Sequence, residues 1–233
     1  MRLPWLFCLM LIVSLIDPTR ASAANPPAKP ADVSPVAQMT DAVVRINNNG
    51  NFVGTGVVLT PKGHIITTGK VANDQAFQSF TIGPARTKAK IIVHDSKHDL
   101  VVLLAETPLP RWATLDVGPG PAKNDVAYVI ARVYKGSDPP MIELRTASAR
   151  IEEPHFSGDS ATALDLSDLL IVRLDGDGFD YSGTGYAVVS PKTGRLQGIM
   201  IGRIEFGQNR LLAMSAATIR TVCESNKIVL PSL

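Results

Sequence analysis

Within six residues the chain carries His94, Asp95, His98 and Asp99, side-chain types that bind divalent metals. The two histidines are spaced i, i+4, which aligns ligands on a helix. This segment instead joins two strand-like apolar runs, Lys88 to Val93 and Leu100 to Leu104, so no metal site is expected. Asp175, Asp177 and Asp180 alternate with Gly176 and Gly178 in the manner of a calcium loop. Phe179, Asp180 and Tyr186 fall at its fifth, sixth and twelfth positions, where that loop needs an oxygen ligand, a glycine and a glutamate. No cofactor is indicated.

Hydroxyl chemistry is the other possibility. Ser182 and Thr184 alternate with Gly183 and Gly185, a pattern that offers a hydroxyl nucleophile and, from the backbone N–H groups of Ser182, Gly183 and Thr184, an oxyanion-hole-like nest. A serine hydroxyl needs a neighbouring base whose pKa lies near the working pH. Lys70, at the end of the small polar loop that begins at Thr67, is the candidate. A lysine starts at ~10.4 and must fall by more than about three units to be mostly neutral. Each residue also has a plain reading: Lys70 as a solvated loop lysine, Asp99 as a turn cap, Ser182 and Thr184 as turn residues. His98 adjoins Asp99 but points to the opposite face, so it does not replace a base. His64 reads as a strand residue and His155 as a loop residue.

The elements that must position these groups are short strands. Val57 to Leu59 and Ile65 to Thr67 flank Pro61-Lys62-Gly63, where proline presets φ and glycine permits positive φ, a β-hairpin. Ala42 to Ile46 precedes a turn over Asn47-Asn48-Asn49-Gly50-Asn51, which leads to a run beginning at Phe52. Val126 to Val133, Ile142 to Thr146, Leu169 to Leu174, Tyr186 to Val189, Leu196 to Ile201 and Leu211 to Met214 follow. Tyr134 to Pro140 and Glu152 to Ser167 read as long exposed loops. One helix stands near the end, capped by Ser215, with Ile219, Val222 and Cys223 on its buried face. The pattern predicts an all-β protein of two small barrels, about 40–115 and 120–214, then a helix over 215–226 and a tail over 227–233.

The N-terminal end reads as an address. Arg2, the apolar run Leu3 to Ile16 and the small residues Ala21-Ser22-Ala23 make residues 1–23 a signal peptide; the run is shorter than the ~20 residues that cross a bilayer. Residues 24–38, rich in proline, read as a disordered linker. Export to the periplasm or the medium is expected, with no membrane attachment after cleavage. Of 23 basic and 21 acidic side chains, the leader holds Arg2, Arg20 and Asp17, so the remainder is nearly balanced and nucleic acid is not an indicated partner. Cys8 lies in the leader, leaving Cys223 without an internal disulfide partner.

The order of segments resembles the trypsin-like serine proteases of the HtrA/Deg type. GTGVVLTPKGHIITTGKVA is similar to their GSGV...GYILTNNHV segment, AKIIVHDSKHDLVVLL to AKVVG.D...DLAVLK, and LIVRLDGDGFDYSGTGYAVVSPKTGRLQGIMI to the nucleophile loop and the hairpin after it. Thr146 to Ile151 is similar to the strand before that loop, and Leu211 to Val222 to the closing strand and helix. The resemblance covers about residues 42–224 and implies two six-stranded antiparallel barrels over 39–226, with the site in the cleft between them and no PDZ domain after residue 233. It places the family's aspartate at Asp99 and its histidine at Lys70. Counting back from Pro191-Lys192-Thr193-Gly194 places the nucleophile at Thr184, while matching the Ser-Gly pair places it at Ser182. A Lys70 to Asp99 ion pair is then the expected remnant of the triad. The resemblance thus implies an inactive serine endopeptidase relative that binds a peptide or protein in its cleft or on its edge strands. An active serine endopeptidase using Ser182 or Thr184 with Lys70 and Asp99, and a periplasmic scaffold, are the alternatives.

Overall fold

A computed structural model describes residues 35–72, 80–135, 141–158, 164–176, 183–204 and 209–231. Twelve strands close into two antiparallel barrels of six. The first contains β1 (Val43–Asn48), β2 (Asn51–Val58), β3 (His64–Thr68), β4 (Phe80–Ile82), β5 (Thr87–Asp95) and β6 (Leu100–Ala105), in the order β1-β2-β3-β6-β5-β4. The second contains β7 (Val126–Lys135), β8 (Met141–Phe156), β9 (Leu169–Leu174), β10 (Ala187–Val189), β11 (Leu196–Arg203) and β12 (Arg210–Ser215), in the order β10-β11-β12-β9-β8-β7. Helices α1 (Pro35–Ala42) and α2 (Ala216–Ser225) stand before and after them. The two expected barrels and the C-terminal helix are therefore present.

The apolar runs are continuous because both faces of these strands are covered. Val43, Val57, Ile66 and Val102 join a core that extends through Ile130, Leu169 and Ile199 of the second barrel to Ile219 and Val222 of α2. Their neighbours Val44, Val58, Ile65 and Val101 turn the other way, into the interior of the first barrel. In β1, β3 and β6 alternation thus sorts side chains between barrel interior and barrel interface, whereas β5 and β8 keep an exposed face. Ala127, Val129, Ile151, Val172 and Leu211 fill the second barrel, together with Tyr186.

Turn chemistry sets the registers. Asn49 and Gly50 both have positive φ (50° and 85°), the requirement of a two-residue hairpin loop, and Asn48 pairs with Asn51 across it. The turn is thus shorter than the five residues expected, because Asn47 and Asn48 complete β1. At the next hairpin the Leu59 N–H donates to the His64 carbonyl at 2.7 Å and the Gly63 N–H to the Thr60 carbonyl at 3.0 Å. The Ser215 hydroxyl accepts from the Thr218 N–H at 3.2 Å and caps α2, worth about 1 kcal/mol.

Three differences from the sequence reading have physical causes. Pro35 opens α1, so the expected linker stops short of residue 38; proline costs nothing at a first helical position, and Met39 and Ala42 bury. β7 runs on through Tyr134 and Lys135, and β8 through Glu152 to Phe156, where loops were expected. Pro154 sits in β8 where the register against β9 shifts, and a bulge is where a strand tolerates proline. His155 is accordingly a strand residue, its Nδ1 2.9 Å from Asp168. β4 was not anticipated, since three residues carry too little pattern. No helix among the described residues is long and apolar enough to cross a membrane.

Candidate functional site

The first barrel contributes the end of β3 and the turn before β6. Thr67 and Thr68 close β3, both fully buried. The Thr67 hydroxyl donates to the Thr55 carbonyl at 2.8 Å, tying β3 back to β2. Beyond Thr68 the chain turns through Gly69 to Lys70, which is exposed. Its ammonium reaches across to the second barrel and donates to the Ile201 carbonyl at 3.2 Å.

Asp99 lies in the turn between β5 and β6 with φ 53°, a left-handed conformation that aspartate tolerates. Its carbonyl accepts the Gly69 N–H at 3.1 Å. One carboxylate oxygen stands 2.5 Å from where a Cβ on Gly69 would project, so a larger residue there would displace the Asp99 carboxylate. Burial pushes the Asp99 carboxyl above its ordinary value; the Lys70 charge, the Gly69 N–H and His94 each pull the other way and do not cancel it. No ion pair joins Lys70 to Asp99 among the described residues. The expected salt bridge is replaced by longer-range attraction, because the ammonium is directed to Ile201 while the carboxylate packs over Gly69.

The second barrel contributes the turn before β10. The Thr184 hydroxyl is 3.1 Å from that of Thr68, and its carbonyl accepts the Thr55 N–H at 3.3 Å. Gly185 has φ +80°, and a Cβ on it would meet the Thr55 carbonyl at 2.1 Å, so at this point the backbones of the two barrels meet directly. Gly183 belongs to the expected nest, but its N–H donates to the Tyr186 hydroxyl at 2.9 Å. Tyr186 itself is 1% exposed and fills the second barrel. Ser182 lies outside the described residues, as do Asp177, Gly178, Phe179 and Asp180 of the calcium-loop pattern.

The remaining histidines face elsewhere. His98 Nδ1 is 2.8 Å from Asp95, and its other ring nitrogen is 3.9 Å from Asp165. His64 Nδ1 is 2.7 Å from the Thr60 hydroxyl; burial, then the Lys62 charge, pull its pKa down. The described residues hold no group of three or more His, Cys, Asp or Glu suited to a metal ion.

The structure thus brings Thr184 to Thr68 and Lys70 to Ile201. Sequence reasoning did not find the partners Thr55, Thr68, Tyr186 and Ile201. Threonine in a strand reads only as a β-former, and a backbone carbonyl has no sequence signature at all.

No family model and no curated protein matches the sequence. Solved structures do. An inactive variant of Rv3671c from Mycobacterium tuberculosis H37Rv superposes with a TM-score of 0.66 at 18% identity, over 90% of this chain and 98% of that one. The HtrA-type protease AlgW, solved with a decapeptide, gives 0.67 at 16% identity over 83% of this chain and 66% of its own. The serine endoprotease of Yersinia pestis gives 0.62 at 20% identity, over 83% and 65%. The chain therefore has the trypsin-like double-barrel fold of HtrA-type serine proteases.

Proposed function

We propose that this is an exported, trypsin-fold protein that lacks proteolytic competence and holds a peptide or protein partner in the cleft between its barrels. The observation that carries this reading is the Lys70 contact. At the position where the sequence resemblance expects the histidine base stands Lys70, whose Nζ donates to the Ile201 carbonyl while the Thr184 hydroxyl meets that of Thr68, so the amine is not paired with the hydroxyl it would have to deprotonate. Thr184 agrees with it: its hydroxyl is shared with another hydroxyl, which is no base, and its β-methyl restricts the rotamers from which it could attack. With the Gly183 N–H given to Tyr186, one donor of the nest is also engaged. The cleft between the barrels is the surface on which the resemblance expects a peptide or protein to lie. Residues 1–23, with their charge, apolar run and small-residue end, support export.

Titrating unfolded, fluorescein-labelled casein with the protein and following anisotropy and fragment length together tests this. Saturable binding with casein left intact is expected. Cleavage that Ser182→Ala or Thr184→Ala abolishes would establish the endopeptidase instead, and neither binding nor cleavage would leave a scaffold.

A further inference from the structure

A second charged concavity lies away from Lys70, Asp99 and Thr184. It is a cavity of about 440 Å³ at the seam of the barrels, entered by Arg45 of β1, Arg132 of β7 and Arg111 of the connecting segment, with Asp41 as the one carboxylate among its described lining residues. Arg132 Nε donates to the Val43 carbonyl at 3.1 Å and Arg45 Nε to the Gly83 carbonyl at 3.0 Å. These bonds fix the stems of both guanidinium groups and leave their outer N–H groups for something else, since a guanidinium carries five donors. Asp41 is exposed and sits 3.9 Å from Arg111, on the rim.

Two partly buried cations sharing a cavity is a costly arrangement. Burial pulls the Arg132 pKa down and the Arg45 charge adds to that, while Asp41 opposes them only weakly. An anion between the two forks would reverse the sign of that interaction. The rest of the wall says what the anion is attached to: Val58, Ile82, Leu109 and Ile142 line it, and such a surface gains by covering apolar atoms. A planar carboxylate matches the guanidinium fork in pairs of parallel hydrogen bonds.

We propose that this cavity binds a carboxylate carried on an apolar body, its charge between Arg45 and Arg132 and its body against the aliphatic wall. A medium-chain fatty acid and the last residues of a polypeptide share this chemistry. The site goes beyond the cleft reading and stands whether or not the cleft cleaves peptides.

Calorimetric titration of the purified protein with octanoate, octanol, N-acetyl-Val-Leu, its C-terminal amide and inorganic phosphate tests the assignment. Octanoate or the free-acid dipeptide is expected to bind saturably, and whichever is tighter identifies the source. Octanol and the amide should bind at least tenfold more weakly than their acids. Arg132→Met and, as an independent variant, Arg45→Met should each weaken the acid at least tenfold in protein whose thermal unfolding remains cooperative. Acid binding indifferent to both substitutions, equal binding of acid and neutral analogue, binding of phosphate alone, or no binding at all would each overturn the proposal.

Discussion

The cleft and the seam cavity make opposite use of polar groups. In the cleft the polar groups satisfy one another: Thr184 meets Thr68, Lys70 meets the Ile201 carbonyl and Gly183 meets Tyr186. At the seam Arg45 and Arg132 are held by single backbone bonds at Nε and present like charges to a cavity. A group already paired must break a bond to meet a ligand, so only its surplus over that bond contributes. The difference is between donors already engaged by the protein and donors left facing a cavity. Thr55 stands between the two regions. Its hydroxyl bonds both the N–H and the carbonyl of Arg132 at 3.0 Å, and its own N–H bonds the Thr184 carbonyl.

Breaking the cleft side should have the largest effect. Gly185→Ala places a Cβ against the Thr55 carbonyl at a positive φ, and denaturant unfolding should show a loss of about 2–5 kcal/mol. Thr55→Val keeps the shape but orphans both Arg132 backbone groups, and the same measurement should give about 2 kcal/mol. It should also weaken octanoate binding at the seam, which a purely local defect would not. Tyr186→Phe removes the acceptor of the Gly183 N–H at a buried site, for about 1 kcal/mol.

The smallest change sharpens the electrostatic side. Asp99 has a folded pKa raised by burial above its ordinary 3.8. The unfolded chain therefore releases this proton first, and its contribution to stability is fully present below the unfolded pKa and lost as pH rises through the folded one. Asp99→Asn should flatten that fall in a series of melting curves from acid towards neutral pH. An unchanged slope would mean that Asp99 is not desolvated.

The sequence disclosed most where local chemistry decides. Pro61-Lys62-Gly63 gave the β2–β3 hairpin, and Ser215 with Ile219, Val222 and Cys223 gave α2, cap and buried face included. It failed where a long partner decides. β8 is polar and contains Pro154, yet it runs for 16 residues because β7 and β9 pair with it on either side. For the candidate site, motif order nominated Lys70, Asp99 and Thr184, but their contacts had no local signal: the one between Thr68 and Thr184 spans 116 residues, and the Ile201 carbonyl that meets Lys70 belongs to a strand read only as core. Arg45 and Arg132 attracted no notice, as single arginines in strands far apart in the chain.

The most direct measurement is the rate of casein hydrolysis by the wild-type protein beside Lys70→Ala and Thr184→Ala. The same background rate from all three is the result predicted for a cleft in which Lys70 donates to the Ile201 carbonyl and Thr184 meets Thr68. Turnover in the wild type that vanishes in Lys70→Ala would show that this amine accepts a proton after all.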